Sequence, residues 1–260
     1  MEYKYRRWIT SLSLLFLAAC NGSTTAPGEA LGTLLGEDHV TDPPAAIPVA
    51  ISPKENTPVP GPGPTPPVTT VGPTCHSADP NQICLGLKYV VYNTTAGTPV
   101  VSQQQSIDNI DGINSVWNSC GIKFQIDQFL PVTPQSENLV YNTSSYSELD
   151  EIRSDFATKT DLLVVTTGSW DRSGTLGNTG ANAWTTMPDG GLYGVVLESP
   201  VGTYVNIIAH ELGHYLNLDH VSDTSNLMSP IIYSSSTGLT TNQCQEARSA
   251  VQYFWAKMLR

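Results

Sequence analysis

The stretch His210-Glu211-Leu212-Gly213-His214-Tyr215-Leu216-Asn217-Leu218-Asp219-His220 decides how this chain is read. Residues four apart share one face of a helix, so His210 and His214 can aim their imidazoles at one ion, about 2.0 to 2.1 Å from each nitrogen. Val205, Ile208, Ala209, Leu212 and Leu216 line the opposite stripe, which lets the same helix be buried. His220 would fall on a different face if the helix continued. The chain therefore has to turn after His214. Asn217 is the expected pivot, because Asn, after Gly, most readily takes the left-handed conformation that ends helices. Three neutral histidines leave the fourth tetrahedral position to water, the arrangement of a catalytic rather than a structural zinc site. Glu211, beside the first ligand, can reach that water without binding the metal.

Eight residues past His220 stands Met228, within Asn226-Leu227-Met228-Ser229-Pro230. Together the two segments resemble the metzincin zinc motif, HExxHxxGxxH followed by a Met-turn. The short Val221 to Ser225 connection, the spacing to Met228 and the presence of Pro230 are similar to the matrixins within that clan. The stretch from Trp117 to Phe124 is a weaker echo of the matrixin first helix and second strand. The resemblance implies an α+β fold: a mixed twisted sheet with an antiparallel edge strand, an active-site helix and a C-terminal helix. It also implies a zinc endopeptidase in which His210, His214 and His220 hold one Zn2+, while Glu211 takes a proton from the attacking water and passes it to the leaving amine. Met228 would floor the site. Pro230 and Tyr233 would wall a specificity pocket, although Tyr233 reads equally well as a surface residue. The substrate would be a protein or peptide lying extended along the edge strand.

Two departures stand out. Asn217 occupies the position where the family usually has Gly. A cysteine-switch propeptide is absent, because the only Cys before the domain is Cys20, and the remaining histidines, His39 and His76, cannot supply a second, structural zinc. Asp171 and Asp189 lie near glycines and fit either calcium ligands or solvated turns; no clear motif supports Ca2+.

Working outward, Leu87 to Tyr92 reads as a first strand, and Ser102 with Gln105 as a capping box opening a helix whose apolar face is Ile107, Ile110, Ile113, Val116 and Trp117. Gly121 should stop that helix, and Ile122 to Ile126 alternates as a second strand. A short helix from about Ser147 to Ala157 leads to Leu162 to Val165, an apolar run suited to a central strand buried on both faces. Gly174 to Gly180 reads as loop, Ala183 to Thr186 as an edge strand, and Leu192 to Leu197 as a further strand after the Asp189-Gly190-Gly191 turn. Helices from about Thr203 and about Thr241 complete the domain.

Before residue 75 the character changes. Lys4, Arg6 and Arg7 precede the apolar run Trp8 to Ala19, which is too short to span a membrane but has the order of a secretory signal. Leu17-Ala18-Ala19-Cys20 resembles the lipobox of bacterial lipoproteins, which implies cleavage after residue 19 and lipidation of Cys20; an ordinary signal peptide with a chance Cys is the alternative. Residues 21 to 74 hold 12 of the 19 prolines and no aromatic residue, too little apolar surface to offset the entropy of ordering. The expected organisation is a lipoprotein signal peptide over 1–19, a lipidated Pro-rich tether over 20–74 and a metzincin-like catalytic domain over 75–260. Cys75, Cys84, Cys120 and Cys244 allow three pairings, of which Cys75 with Cys84 and Cys120 with Cys244 is expected, with buried free thiols as the alternative.

The formal charge of −11, from 12 Lys+Arg against 23 Asp+Glu, leaves no basic footprint for nucleic acid. The chain is thus expected to be an exported, monomeric zinc peptidase, anchored to a cell envelope at the outer membrane or cell surface. The competing reading is a surface-anchored binding lipoprotein with a vestigial zinc site.

Overall fold

A computed structural model describes residues 16–17, 70–75, 81–188 and 191–260. Cys20, His39, His76, Asp189, most of the expected signal peptide and nearly all of the expected tether lie outside these residues.

The elements follow in the order β1 (Phe16–Leu17), β2 (Ile83–Tyr92), α1 (Gln103–Trp117), β3 (Ile122–Val132), α2 (Tyr146–Phe156), β4 (Leu162–Thr166), β5 (Ala183–Thr185), β6 (Val195–Leu197), α3 (Val205–Tyr215), β7 (Ile231–Ile232) and α4 (Thr241–Phe254), with short 3-10 turns between. Five strands form one sheet in the order β3-β2-β4-β6-β5. β2 runs parallel to β3 and β4, and β4 parallel to β6, whereas β5 is antiparallel to β6 and forms an edge. β1 and β7 pair antiparallel in a separate two-stranded sheet. At the far edge, the N–H of Val71 donates to Ile126 O at 2.9 Å, so the chain already lies against β3 there.

β4 occupies the middle of the sheet because every one of its residues can be buried. Leu162 and Val164 face one apolar cluster, formed with α1, α3 and α4, while Leu163 and Val165 face a second, formed with α2. Helix starts follow local chemistry. Ser102 Oγ accepts the N–H of Gln105, and full capping boxes open α2 (Ser145 with Glu148) and α4 (Thr240 with Gln243). Gly121, at φ 64°, ends the turn after α1.

Several strand boundaries differ from expectation. β3 runs on to Val132 rather than ending at Ile126. β2 begins at Ile83 rather than Leu87: Gly86 sits inside it, and the space that a Cβ would fill there is taken by the side chains of Asp127 and Arg260, which form an ion pair. β6 begins only at Val195, because Gly194 adopts φ 150° and Leu192 is exposed.

Disulfides join Cys75 to Cys84 and Cys120 to Cys244, the second tying the end of α1 to α4. Arg248 of α4 reinforces that junction by donating to the carbonyls of Asn81, Cys120 and Gly121. Between β4 and β6 the loop is held by the buried carboxylate of Glu198. It accepts from the Arg172 guanidinium, the Asn182 side-chain amide and, at 3.0 Å, the N–H of Trp170.

Candidate metal centre

α3 carries the first two histidines. It packs against α1, where Trp117 is fully buried and its Nε1 donates to the carbonyl of Ala209 at 3.2 Å. Residues 207 to 215 are all buried, so the helix is enclosed on more than its apolar stripe, and His210 and Glu211 have no exposure at all.

The helix ends as the spacing of the third histidine requires. Asn217 has φ 67°, its N–H donates to His214 O at 2.9 Å, and the N–H of Leu218 donates to Gly213 O at 3.0 Å. This pair of bonds is the Schellman pattern, with Asn in the left-handed position that Gly more often fills. The chain is thereby redirected, and His220 returns so that its Nε2 lies 3.3 Å from Nε2 of His210. His214 Nε2 lies 3.0 Å from the same atom, and one ligand nitrogen from each of the three rings falls within 4.8 Å of the others.

Backbone carbonyls fix the ring orientations. Nδ1 of His210 is 2.7 Å from Leu227 O, and Nδ1 of His214 is 2.7 Å from Leu218 O. A carbonyl can only accept, so both Nδ1 atoms carry the proton and both Nε2 atoms present lone pairs to the centre. Burial keeps the rings neutral. It holds His210 down to about 3, overriding the Leu227 carbonyl that favours the charged form, with repulsion from His220 acting in the same direction as burial. His214 is pushed well below the usual imidazole value, first by burial and then by the other two rings; His220 is lowered by burial despite Asp219 nearby. Two lone pairs 3.0 Å apart repel unless a cation lies between them, and tetrahedral ligation at 2.0 to 2.1 Å separates ligand nitrogens by about 3.3 Å. The residues present therefore fit a zinc ion.

Beneath the helix runs the turn that carries Met228. Met228 is fully buried, and its Sδ occupies the space that a Cβ on Gly213 would fill, so the glycine leaves room for the thioether against the helix. The N–H of Val221, next to His220, donates to Met228 O at 2.9 Å, and Asn226 Oδ1 accepts the N–H of Met228 at 2.9 Å. Asn226 and Gln243 exchange two side-chain amide hydrogen bonds, at 2.9 and 3.1 Å, which fasten the turn to the start of α4. Pro230 and Tyr233 are both partly buried, and the Tyr233 carbonyl accepts from Asn206 in the first turn of α3 at 3.0 Å. Asp171 is exposed, with its carboxylate accepting the N–H of Ser173 at 2.8 Å, a local turn.

The carbonyls of Leu218 and Leu227 and the Asn226–Gln243 amide pair were not foreseen. The first two are backbone groups, which residue type does not betray. Gln243 is legible as the fourth residue of a Thr-x-x-Gln capping box, but its second set of bonds is not.

The family model described as matrixin matches residues 134–254, which include all three histidines and Met228. Among solved structures, metalloproteinase-II from Bacteroides fragilis is similar at 13% identity and a TM-score of 0.45, over 71% of this chain and 57% of that one. A chain from a chaperone–substrate complex is similar at 10% identity and a TM-score of 0.47, over 68% and 36% respectively. This chain thus spans little more than half the length of the first and about a third of the second. No curated protein sequence matches. The five-stranded mixed sheet and the three-histidine centre thus belong to a chain that is similar to the matrixins over residues 134–254.

Proposed function

We propose that this chain is a zinc-dependent endopeptidase that hydrolyses extended protein substrates outside the cytoplasm, held at a cell envelope through a lipid on Cys20. The observation that carries the catalytic reading is the convergence of three neutral imidazoles, two of which commit their Nδ1 protons to backbone carbonyls. His210, His214 and His220 would hold the metal. Zinc bound there would supply Lewis-acid polarisation of the scissile carbonyl and lower the pKa of a coordinated water toward 7.

The chain's own groups do the rest. Glu211, buried beside the first ligand, accepts the proton of the attacking water and returns it to the leaving amine. The substrate would lie extended along β5, the antiparallel edge strand, with the Pro230–Tyr233 segment meeting the residue after the scissile bond. Glu211→Ala should keep zinc and lose at least about a hundredfold in cleavage of an unstructured protein such as casein, since the base goes and no ligand does. Near-normal turnover by that variant would remove Glu211 from the mechanism. Zinc binding by the parent chain without any turnover would favour the binding lipoprotein instead.

Anchoring rests on the lipobox-like Leu17 to Cys20 segment and the long aromatic-free stretch behind it. Cys20→Ser should release the protein from the membrane fraction with its peptidase activity intact. Continued membrane association of the exported variant would refute the anchor.

A further inference from the structure

His210 is gripped from two directions. α3 carries its backbone, and its Nδ1 is held 2.7 Å from Leu227 O, a carbonyl of the turn that contains Met228. The two supports dock on different helices. α3 lies on α1 through Trp117, whose Nε1 donates to Ala209 O, whereas the turn is fastened to the start of α4. There the buried side chain of Gln243 accepts the N–H of Thr240 and the side-chain amide of Asn226, each at 2.9 Å, while its own amide donates to Asn226 Oδ1 at 3.1 Å. Asn226 Oδ1 in turn accepts the N–H of Met228. The position of Leu227 O relative to α3 thus depends on where α4 begins relative to where α1 ends.

One covalent link sets that relation. Cys244 follows Gln243 directly, and its disulfide partner Cys120 lies just past the last residue of α1, Trp117. Arg248 also bonds to carbonyls of this junction, but from one turn further along α4. Burial gives the entry to α4 little hold, because Leu239 is the one large apolar side chain between residues 234 and 240. Groups that orient a metal-binding histidine from behind are worth about 10- to 100-fold in metal affinity.

We infer that the Cys120–Cys244 disulfide is a redox-sensitive brace on the metal centre: acting through Gln243 and Asn226, it holds Leu227 O against His210, so that the chain binds zinc tightly only once this bridge has formed. The two thiols form it by giving up two electrons and two protons to a disulfide-bearing oxidant, which is reduced to two thiols. Oxidants of that class prevail outside the reducing cytosol, so zinc capture follows oxidation rather than preceding it. Gln243 is here a positioning residue, which touches neither metal nor substrate. The inference rests on the zinc reading above; the mechanical link between bridge and turn does not.

The test uses the full chain with Cys120→Ala and Cys244→Ala together, which removes the bridge and leaves neither thiol behind to ligate zinc. Competition with a chromophoric zinc chelator should show an affinity at least tenfold below that of the parent. Amide hydrogen exchange at residues 226–228 should speed up at least tenfold, while β2 and β4 keep their protection. Gln243→Ala with the bridge intact should weaken zinc to a similar extent, and adding it to the bridge-free chain should cost less than about threefold more. Cys75→Ala with Cys84→Ala should leave zinc affinity within about threefold, because that bridge joins the start of the domain to β2. If the bridge-free chain does not fold, the zinc-free parent is reduced with a water-soluble phosphine, which takes up oxygen from water as the disulfide becomes two thiols, and exchange at residues 226–228 is read before zinc is added. Unchanged exchange there, unchanged zinc affinity without the bridge, equal losses on removing either bridge, or full additivity with Gln243→Ala would overturn the proposal. A parent chain that binds no zinc would overturn the metal reading, while the exchange measurement still judges the brace.

Discussion

Nδ1 of His214 hydrogen-bonds the carbonyl of Leu218, a residue that lies beyond the end of the helix carrying the histidine. The bond exists only because Asn217 has turned the chain, so the same left-handed residue that delivers His220 also sets the ring orientation of His214. Two of the three ligands depend on one backbone conformation.

A consequence is testable at residue 217. Gly reaches positive φ without steric cost and should substitute with little change in zinc affinity, losing only an exposed amide contact to Glu246. Val in that region is strained by about 1 to 3 kcal/mol, and relieving the strain would displace both Leu218 O and His220. Zinc titration of Asn217→Gly and Asn217→Val in the same background should show weakened binding in Val alone. Equal affinities would mean that the turn tolerates another route to the metal.

Gly213 offers a second test, in which two effects oppose each other. Replacing a mid-helix glycine with Ala ordinarily stabilises by about 1 kcal/mol. Here the new methyl would overlap Met228 Sδ, in a buried turn that also supplies Leu227 O to His210. Overpacking of this kind costs about 1 to 3 kcal/mol, so the sum should be unfavourable. Gly213→Ala is expected to lower Tm and to loosen zinc; a raised Tm would show that Met228 can move aside.

The burial of the histidines fixes the sign of a pH effect on the zinc-free domain. All three native pKa values lie below 6.5, His210 at about 3. Below about pH 6.5 the unfolded chain takes up protons that the native one refuses, so stability falls with falling pH, and for His210 it keeps falling to about pH 3. Each such histidine contributes a slope of about 1.4 kcal/mol per pH unit. Urea denaturation between pH 7.5 and 5 should show stability lost steadily below pH 6.5. A flat profile there would mean that native imidazoles are already protonated.

Much of this was legible because it is written in side-chain type at fixed spacing. The spacing of His210, His214 and His220 points to a metal, Asn217 to the turn between them, and the apolar run Leu162 to Val165 to a strand buried on both faces. Other features escaped because they depend on where distant backbone passes. Arg153 and Trp184 are 31 residues apart and become partners only once α2 crosses the sheet beside Gly194. Glu198 and Arg172 are individually unremarkable charges, and their pairing reflects a loop path that no local pattern records. The late start of β6 has the same origin: Leu192 and Tyr193 continue the apolar run, but the backbone at Gly194 does not continue the strand.

The bridge between Cys120 and Cys244 encloses α2, α3, the edge strand and all three histidines in a single covalent ring. With the proposed activity the chain would be exposed to its own cleavage, and loops such as residues 168–182 fall inside that ring. A single cut anywhere between residues 121 and 243 would open the ring without releasing a piece: the part carrying β2 and α1 and the part carrying α4 would stay joined through sulfur. Such a nicked molecule would migrate as one chain until reduced and as two afterward. After a cut in residues 168–182, the half carrying α1 could not diffuse away from the half carrying the three histidines.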